Sequence, residues 1–136
     1  MKIIRLTGVL MLLSISAITR AEPLTKEDTH PVIKAHTSAI VATYACRTTL
    51  EGGNDQYHQT RNTAEEAFTK VTNDSDKAKM MIKVLEYRIE NEDPAAQLMR
   101  QFDEVSASPE LRKQSCDQMV SGSVQRANYA SEQYKL

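Results

Sequence analysis

The feature that most constrains the fold is a single pair of cysteines, Cys46 and Cys116. The start of the chain predicts export to an oxidising compartment, where two cysteines join as a disulfide. A bridge between them closes a 70-residue loop and contributes about 4 kcal/mol on the chain-entropy model. A reactive thiol is disfavoured, because the sequence has no C-x-x-C motif and no histidine within ten residues of Cys116. We therefore predict a structural bridge.

Residues 1–21 have the pattern of a cleavable export signal. Lys2 and Arg5 give a charged start, residues 6–18 are an apolar run, and small residues precede a cleavage point after Ala21. The run is shorter than the roughly 20 residues that span a bilayer, which disfavours a membrane anchor. No cysteine lies at the cleavage point to carry a lipid. We predict a periplasmic protein that is not inserted in the membrane after cleavage.

Removal of this signal changes the charge of the chain. It leaves 14 basic and 18 acidic residues, a net charge of −4. A mildly acidic chain lacks the basic surface that binds nucleic acid or anionic lipid. If charge steers a partner, that partner is expected to be basic.

Apolar residues recur every three or four positions along most of the remaining chain, which predicts helices. Pro31, Pro94 and Pro109 follow residues that can cap a helix, and proline is favoured at the first helical position. Residues 22–30 are polar and are predicted to be a loose arm. The predicted helices cover about 31–50, a segment within 55–72, about 76–91, a segment from 94, and a segment from 109 to about 134.

These segments predict one all-α domain over residues 31–136. Short helices joined by brief polar loops favour a compact bundle of four to five helices. The Cys46–Cys116 bridge is expected to clamp the first helix to the last, with the middle helices enclosed between them.

No residue pattern in the chain indicates catalysis, a cofactor or a metal. His30, His36 and His58 form no H-x-x-x-H pair, and the methionines are too dispersed for a copper site. Glu86 and Glu90 share a helix face, but interleaved basic residues favour a solvated, ion-paired face over acid–base catalysis. No G-x-S-x-G motif is present. We therefore predict a protein that binds another protein and is not an enzyme.

Three segments resemble the small periplasmic immunity proteins that neutralise type VI secretion amidase toxins. The segments are residues 43–46 (TYAC), residues 73–75 (NDS) with 79–87 (KMMIKVLEY), and residues 112–119 (RKQSCDQM). The resemblance covers roughly residues 32–125. It implies an all-α periplasmic inhibitor, often dimeric, that inserts a loop or helix end into the active-site cleft of a toxin.

Two other functions remain open. A pilotin-like secretion factor or chaperone would hold an amphipathic partner helix in an apolar groove. An acid-stress chaperone would need a dimer that opens at low pH, which three scattered histidines support only weakly. An inhibitor is expected to present a polar, protruding loop, whereas a chaperone is expected to expose an apolar groove or patch.

The candidate contact loop contains the only glycine pair in the chain, Gly52-Gly53. It follows the cysteine-anchored end of the first helix, so its base is expected to be fixed and its tip free. Glu51 and Asp55 suit a basic cleft, and Tyr57 is the type of aromatic side chain that anchors interfaces. The alternative is a plain connector in which the glycines only end the first helix.

Overall fold

The computed structural model describes residues 29–136, which form five helices and no strand. The helices are α1 (Pro31–Ala45), α2 (Gly53–Thr72), α3 (Ser75–Glu92), α4 (Pro94–Glu104) and α5 (Pro109–Gln133). The all-α prediction is therefore confirmed. The predicted export signal and residues 22–28 of the predicted arm lie outside the described residues. Within residues 29–136, no helix combines the length and the apolar character needed to cross a membrane.

Three helices begin at the prolines that the sequence marked. Each proline occupies the first turn, and the residue before it accepts a hydrogen bond from a main-chain N–H of that turn. This arrangement satisfies donors that a helix start otherwise leaves unpaired. The cap pairs are His30 with Val32, Asp93 with Ala96, and Ser108 with Leu111, at 3.1–3.2 Å.

The end of α1 was predicted at about residue 50 but lies at Ala45. The main-chain carbonyl of Cys46 accepts hydrogen bonds from the N–H groups of Thr49 and Leu50, both at 3.1 Å. The chain therefore turns at Cys46. Leu50 continues the apolar spacing of α1 in the sequence, but it packs beside the disulfide from within this turn.

Two glycines complete the turn between α1 and α2 for different reasons. Gly52 has φ of 69°, a left-handed conformation that glycine adopts without steric cost. Gly53 begins α2, and a Cβ there would meet the main chain of Arg47. The segment between the helices is therefore a tight turn of residues 46–52.

α1 is the central helix of the bundle. Eight of its 15 residues are buried, and it packs against α2, α4 and α5. α3 packs chiefly on α2 and forms an edge of the bundle. The expectation that the middle helices are enclosed between the first and the last is therefore wrong for α2 and α3, because α1 takes the central position between α2 and α5.

The core has two parts that meet at α1. One part joins α1 to α2 and α3, and the other surrounds the disulfide where α1, α4 and α5 meet. The first contains Ile33, Ile40, Tyr57, Ala64, Phe68, Ala78, Ile82, Leu85 and Ile89. The second contains Ala45, Cys46, Leu98, Phe102, Ala107, Cys116 and Val120.

The predicted disulfide is present. It joins Cys46, directly after α1, to Cys116 in α5, and the two Cα atoms are 5.6 Å apart. Both cysteines are buried. The bridge therefore clamps the first helix to the last, as the sequence predicted.

Candidate functional site

The three candidate contact residues do not lie on one protruding loop. Glu51 is exposed in the turn, whereas Asp55 is exposed in the first turn of α2. An acidic side chain at that position stabilises the helix through the partial positive charge of its N-terminus. The predicted free loop over residues 51–57 is thus incorrect from residue 53 onward, because α2 begins there.

Tyr57 is part of the core and not of the surface, with 7% of its area exposed. Its ring packs edge-on against Tyr44, with 5.4 Å between the ring centroids. Burial, and then the negative charge of Glu86, raise the pKa of Tyr57. Its assignment as an interface anchor is therefore corrected: the ring holds α2 against α1.

Two acidic residues of α3, Glu86 and Glu92, form ion pairs, whereas Glu90 forms none within residues 29–136. Glu86 accepts a hydrogen bond from Nε of Arg61 at 3.0 Å, which links α3 to α2. Glu92 lies 4.0 Å from Arg88 on the exposed side of α3. Pairs this exposed contribute little stability. No cluster of histidine, cysteine and acidic side chains within residues 29–136 is arranged to hold a metal ion.

Two histidines join the start of α1 to the end of α5. The ring of His30 lies 4.6 Å from the ring of Tyr134, centroid to centroid. His36 is buried, and its Nε2 shares a 2.8 Å hydrogen bond with Oγ of Ser131. No local sequence pattern indicates this contact, because Ser131 lies 95 residues from His36.

Acidification is expected to destabilise the protein through His36. Burial lowers the pKa of His36 below its ordinary value of 6.5, and no charged side chain lines the cavity beside it. The unfolded chain therefore binds a proton more readily than the folded chain, so the stability from His36 is present above about pH 6.5 and declines as the pH falls further. Urea unfolding between pH 7.5 and 5.5 measures this decline.

His58 provides the matched control, because its side chain is exposed on α2. His36→Gln is expected to flatten the pH dependence of the free energy of unfolding, whereas His58→Gln is expected to keep it. Equal pH dependence in the parent and His36→Gln proteins would show that His36 does not cause the decline.

An exposed apolar stripe runs along the outer side of α3. It consists of Met80, Val84 and Tyr87, which are 60%, 52% and 68% exposed. Their spacing of four and three residues places them on one face of a helix, opposite the buried face formed by Ala78, Ile82, Leu85 and Ile89. We call this surface the α3 stripe.

The apolar residues of the α3 stripe are visible in the sequence, but their exposure is not. Two apolar sets are interleaved along α3, and only one can face α2. Ile82, Leu85 and Ile89 form one of these sets, and they pack into the core. Met80, Val84 and Tyr87 form the second set, which has the same helical period. A second apolar set on one helix is the sequence pattern that indicates an exposed apolar face.

Comparison with known proteins gives no relative. No family model, curated protein or solved structure matches the chain. The resemblance to the immunity proteins therefore stays a prediction.

Proposed function

We propose that this protein binds another protein and that the α3 stripe is its contact surface. The observation that supports the proposal is the exposure of three large apolar side chains in one row on an edge helix. A clustered apolar surface of this kind is typical of interaction sites, whereas single exposed apolar residues are ordinary.

The partner element that fits the stripe best is an amphipathic helix. The stripe extends over eight residues, from Met80 to Tyr87, or about 10 Å along the α3 axis. Two turns of a partner helix present apolar side chains with the same spacing and over the same length. A contact of this size is typical of transient complexes.

The charges beside the stripe are mixed. On a helical wheel Lys77, Lys83 and Arg88 border the stripe together with Asp76 and Glu90, and Arg88 is itself paired with Glu92. The border therefore gives no preference for the charge of the partner helix.

This arrangement supports a pilotin-like assembly factor or chaperone better than the inhibitor with a protruding loop. The glycine segment is a tight turn, and Tyr57 is buried behind it. An inhibitor role stays compatible with the α3 stripe if the partner helix that the stripe binds belongs to a toxin. The identity of the partner separates the two versions of the proposal.

The test is Tyr87→Ala, with Tyr129→Ala as the matched control. Tyr129 is 63% exposed on α5 and so offers the same change at the same exposure away from the stripe. The partner is first identified by mass spectrometry after co-purification and then used purified. Tyr87→Ala removes an aromatic anchor and is expected to weaken binding about tenfold to thirtyfold. Tyr129→Ala is expected to leave the affinity unchanged.

Two outcomes contradict the proposal. Equal affinity for the parent and Tyr87→Ala proteins places the contact surface elsewhere. If sedimentation shows a parent dimer that Tyr87→Ala converts to a monomer, the stripe holds a second copy of this chain. In either case the α3 stripe is not the site for a foreign partner.

A further inference from the structure

A valley runs along the surface between α2 and α5 on the side of the bundle where α1 forms its floor. α1 packs closely against both helices, whereas α2 and α5 are not packed extensively against each other. Two cavities of about 630 and 210 Å³ lie along this gap, and Gln56 and Val124 line both. The two depressions are therefore adjacent, and we call them together the polar valley.

The walls of the polar valley are polar but almost uncharged. Of the 15 residues that line it, Asp117 alone carries a formal charge, although 26% of the chain is charged. The walls consist mainly of amide and hydroxyl side chains. These are Gln56, Gln59, Thr60 and Thr63 from α2, and Gln118, Ser121, Gln125 and Asn128 from α5.

Most of these amides are not used by the fold itself. Within residues 29–136, the side chains of Gln56, Gln59, Gln118 and Asn128 make no hydrogen bond to the protein. Gln125 donates only a long hydrogen bond, 3.5 Å, to Oγ of Ser121. Donors and acceptors on both walls are therefore available to a ligand.

We propose that the polar valley binds an extended, uncharged segment of polypeptide. A side-chain amide carries both donors and an acceptor, which matches the alternating N–H and C=O groups of an extended main chain. The wall from residue 117 to residue 128 is about 16 Å long, the length of about five extended residues. Ala39 of α1 and Val124 and Ala127 of α5 add apolar surface to the lining.

Other ligand classes match the valley less well. No aromatic ring other than the imidazole of His36 lines it, so it lacks the stacking surface that sugars and bases use. It also has no basic side chain to meet phosphate groups. This site is separate from the α3 stripe and does not depend on the proposed function.

The experiment selects binders from a phage library of random linear octapeptides on the purified protein. The enriched peptides are then synthesised, and their Kd is measured by fluorescence polarisation. We expect peptides without charged side chains. Gln59→Ala and Gln125→Ala should each raise the Kd about threefold to tenfold, the effect of losing one hydrogen bond between neutral groups.

Matched controls come from glutamines outside the valley. Gln101 on α4 and Gln133 on α5 are exposed, and their side chains make no hydrogen bond within residues 29–136. Gln101→Ala and Gln133→Ala are expected to leave the Kd unchanged. Tyr87→Ala is also expected to have no effect, which keeps failure of this proposal distinct from failure of the α3 stripe.

Three results would overturn the assignment. One is selection of charged peptides or of no peptide at all. Another is that none of the four glutamine variants changes the Kd, or that Tyr87→Ala raises it. The third is binding of N-acetylglucosamine oligomers that Gln59→Ala and Gln125→Ala weaken, which would make the valley a glycan site.

Discussion

Replacing both bridged cysteines, as Cys46→Ala with Cys116→Ala, is expected to lower the free energy of unfolding by about 4 kcal/mol. The main reason is the unfolded chain, which gains conformational freedom when its 70-residue loop opens. In a domain stabilised by about 5–15 kcal/mol in total, the melting temperature should fall by roughly 15–25 °C. Urea unfolding followed by circular dichroism measures the change.

The parent protein under reducing conditions provides the control for this substitution. Reduction opens the same loop and keeps both sulfur atoms, so the parent should lose most of the same stability. Mass spectrometry of the unreduced protein should show a mass lower than the free-thiol form by two hydrogen atoms. Two free thiols in material from an oxidising compartment would contradict the bridge.

The second large effect is expected for Leu85→Ala, with a loss of about 2–5 kcal/mol. Leu85 is buried in the core between α1, α2 and α3. Shortening it removes buried apolar contacts and leaves a cavity that the surrounding helices fill only in part. The urea midpoint should fall with little change in the slope of the transition.

Val84→Ala is the control next to it in the chain. Val84 belongs to the exposed α3 stripe, and a surface substitution of this kind usually changes stability by less than about 0.5 kcal/mol. Comparison of the two variants therefore tests which way α3 faces. A large loss for Val84→Ala with a small loss for Leu85→Ala would reverse the orientation of α3 and remove the basis for the α3 stripe.

The helical fold was predictable because its signals are local. Pro31, Pro94 and Pro109 mark helix starts within a few residues of sequence, and their caps form as expected. The pairing of Cys46 with Cys116 needed only their number and the predicted compartment. The packing order was not predictable, because the central position of α1 depends on contacts with helices far along the chain.

The functional surfaces were harder to predict for the same reason. Tyr57 lies among polar residues in the sequence and is buried because α2 packs it into the core, where Tyr44 of α1 contacts its ring. The polar valley is lined by residues of α2 and α5 that lie about 60 positions apart in the sequence. The periodicity within each helix does not show that the two helices face each other across a gap. The candidate contact residues were chosen because they lie beside the glycine pair, but this pair forms a turn between α1 and α2 and not a protruding loop.

The position of the bridge also determines how the molecule responds to mechanical tension. The bond joins residues 46 and 116, so α2, α3 and α4 all lie inside the closed loop, whereas α1 and most of α5 lie outside it. Force applied to the two ends is carried through the sulfur atoms and bypasses the loop. Stretching therefore lengthens only the outer segments, and the 70-residue loop withholds about 240 Å of contour length.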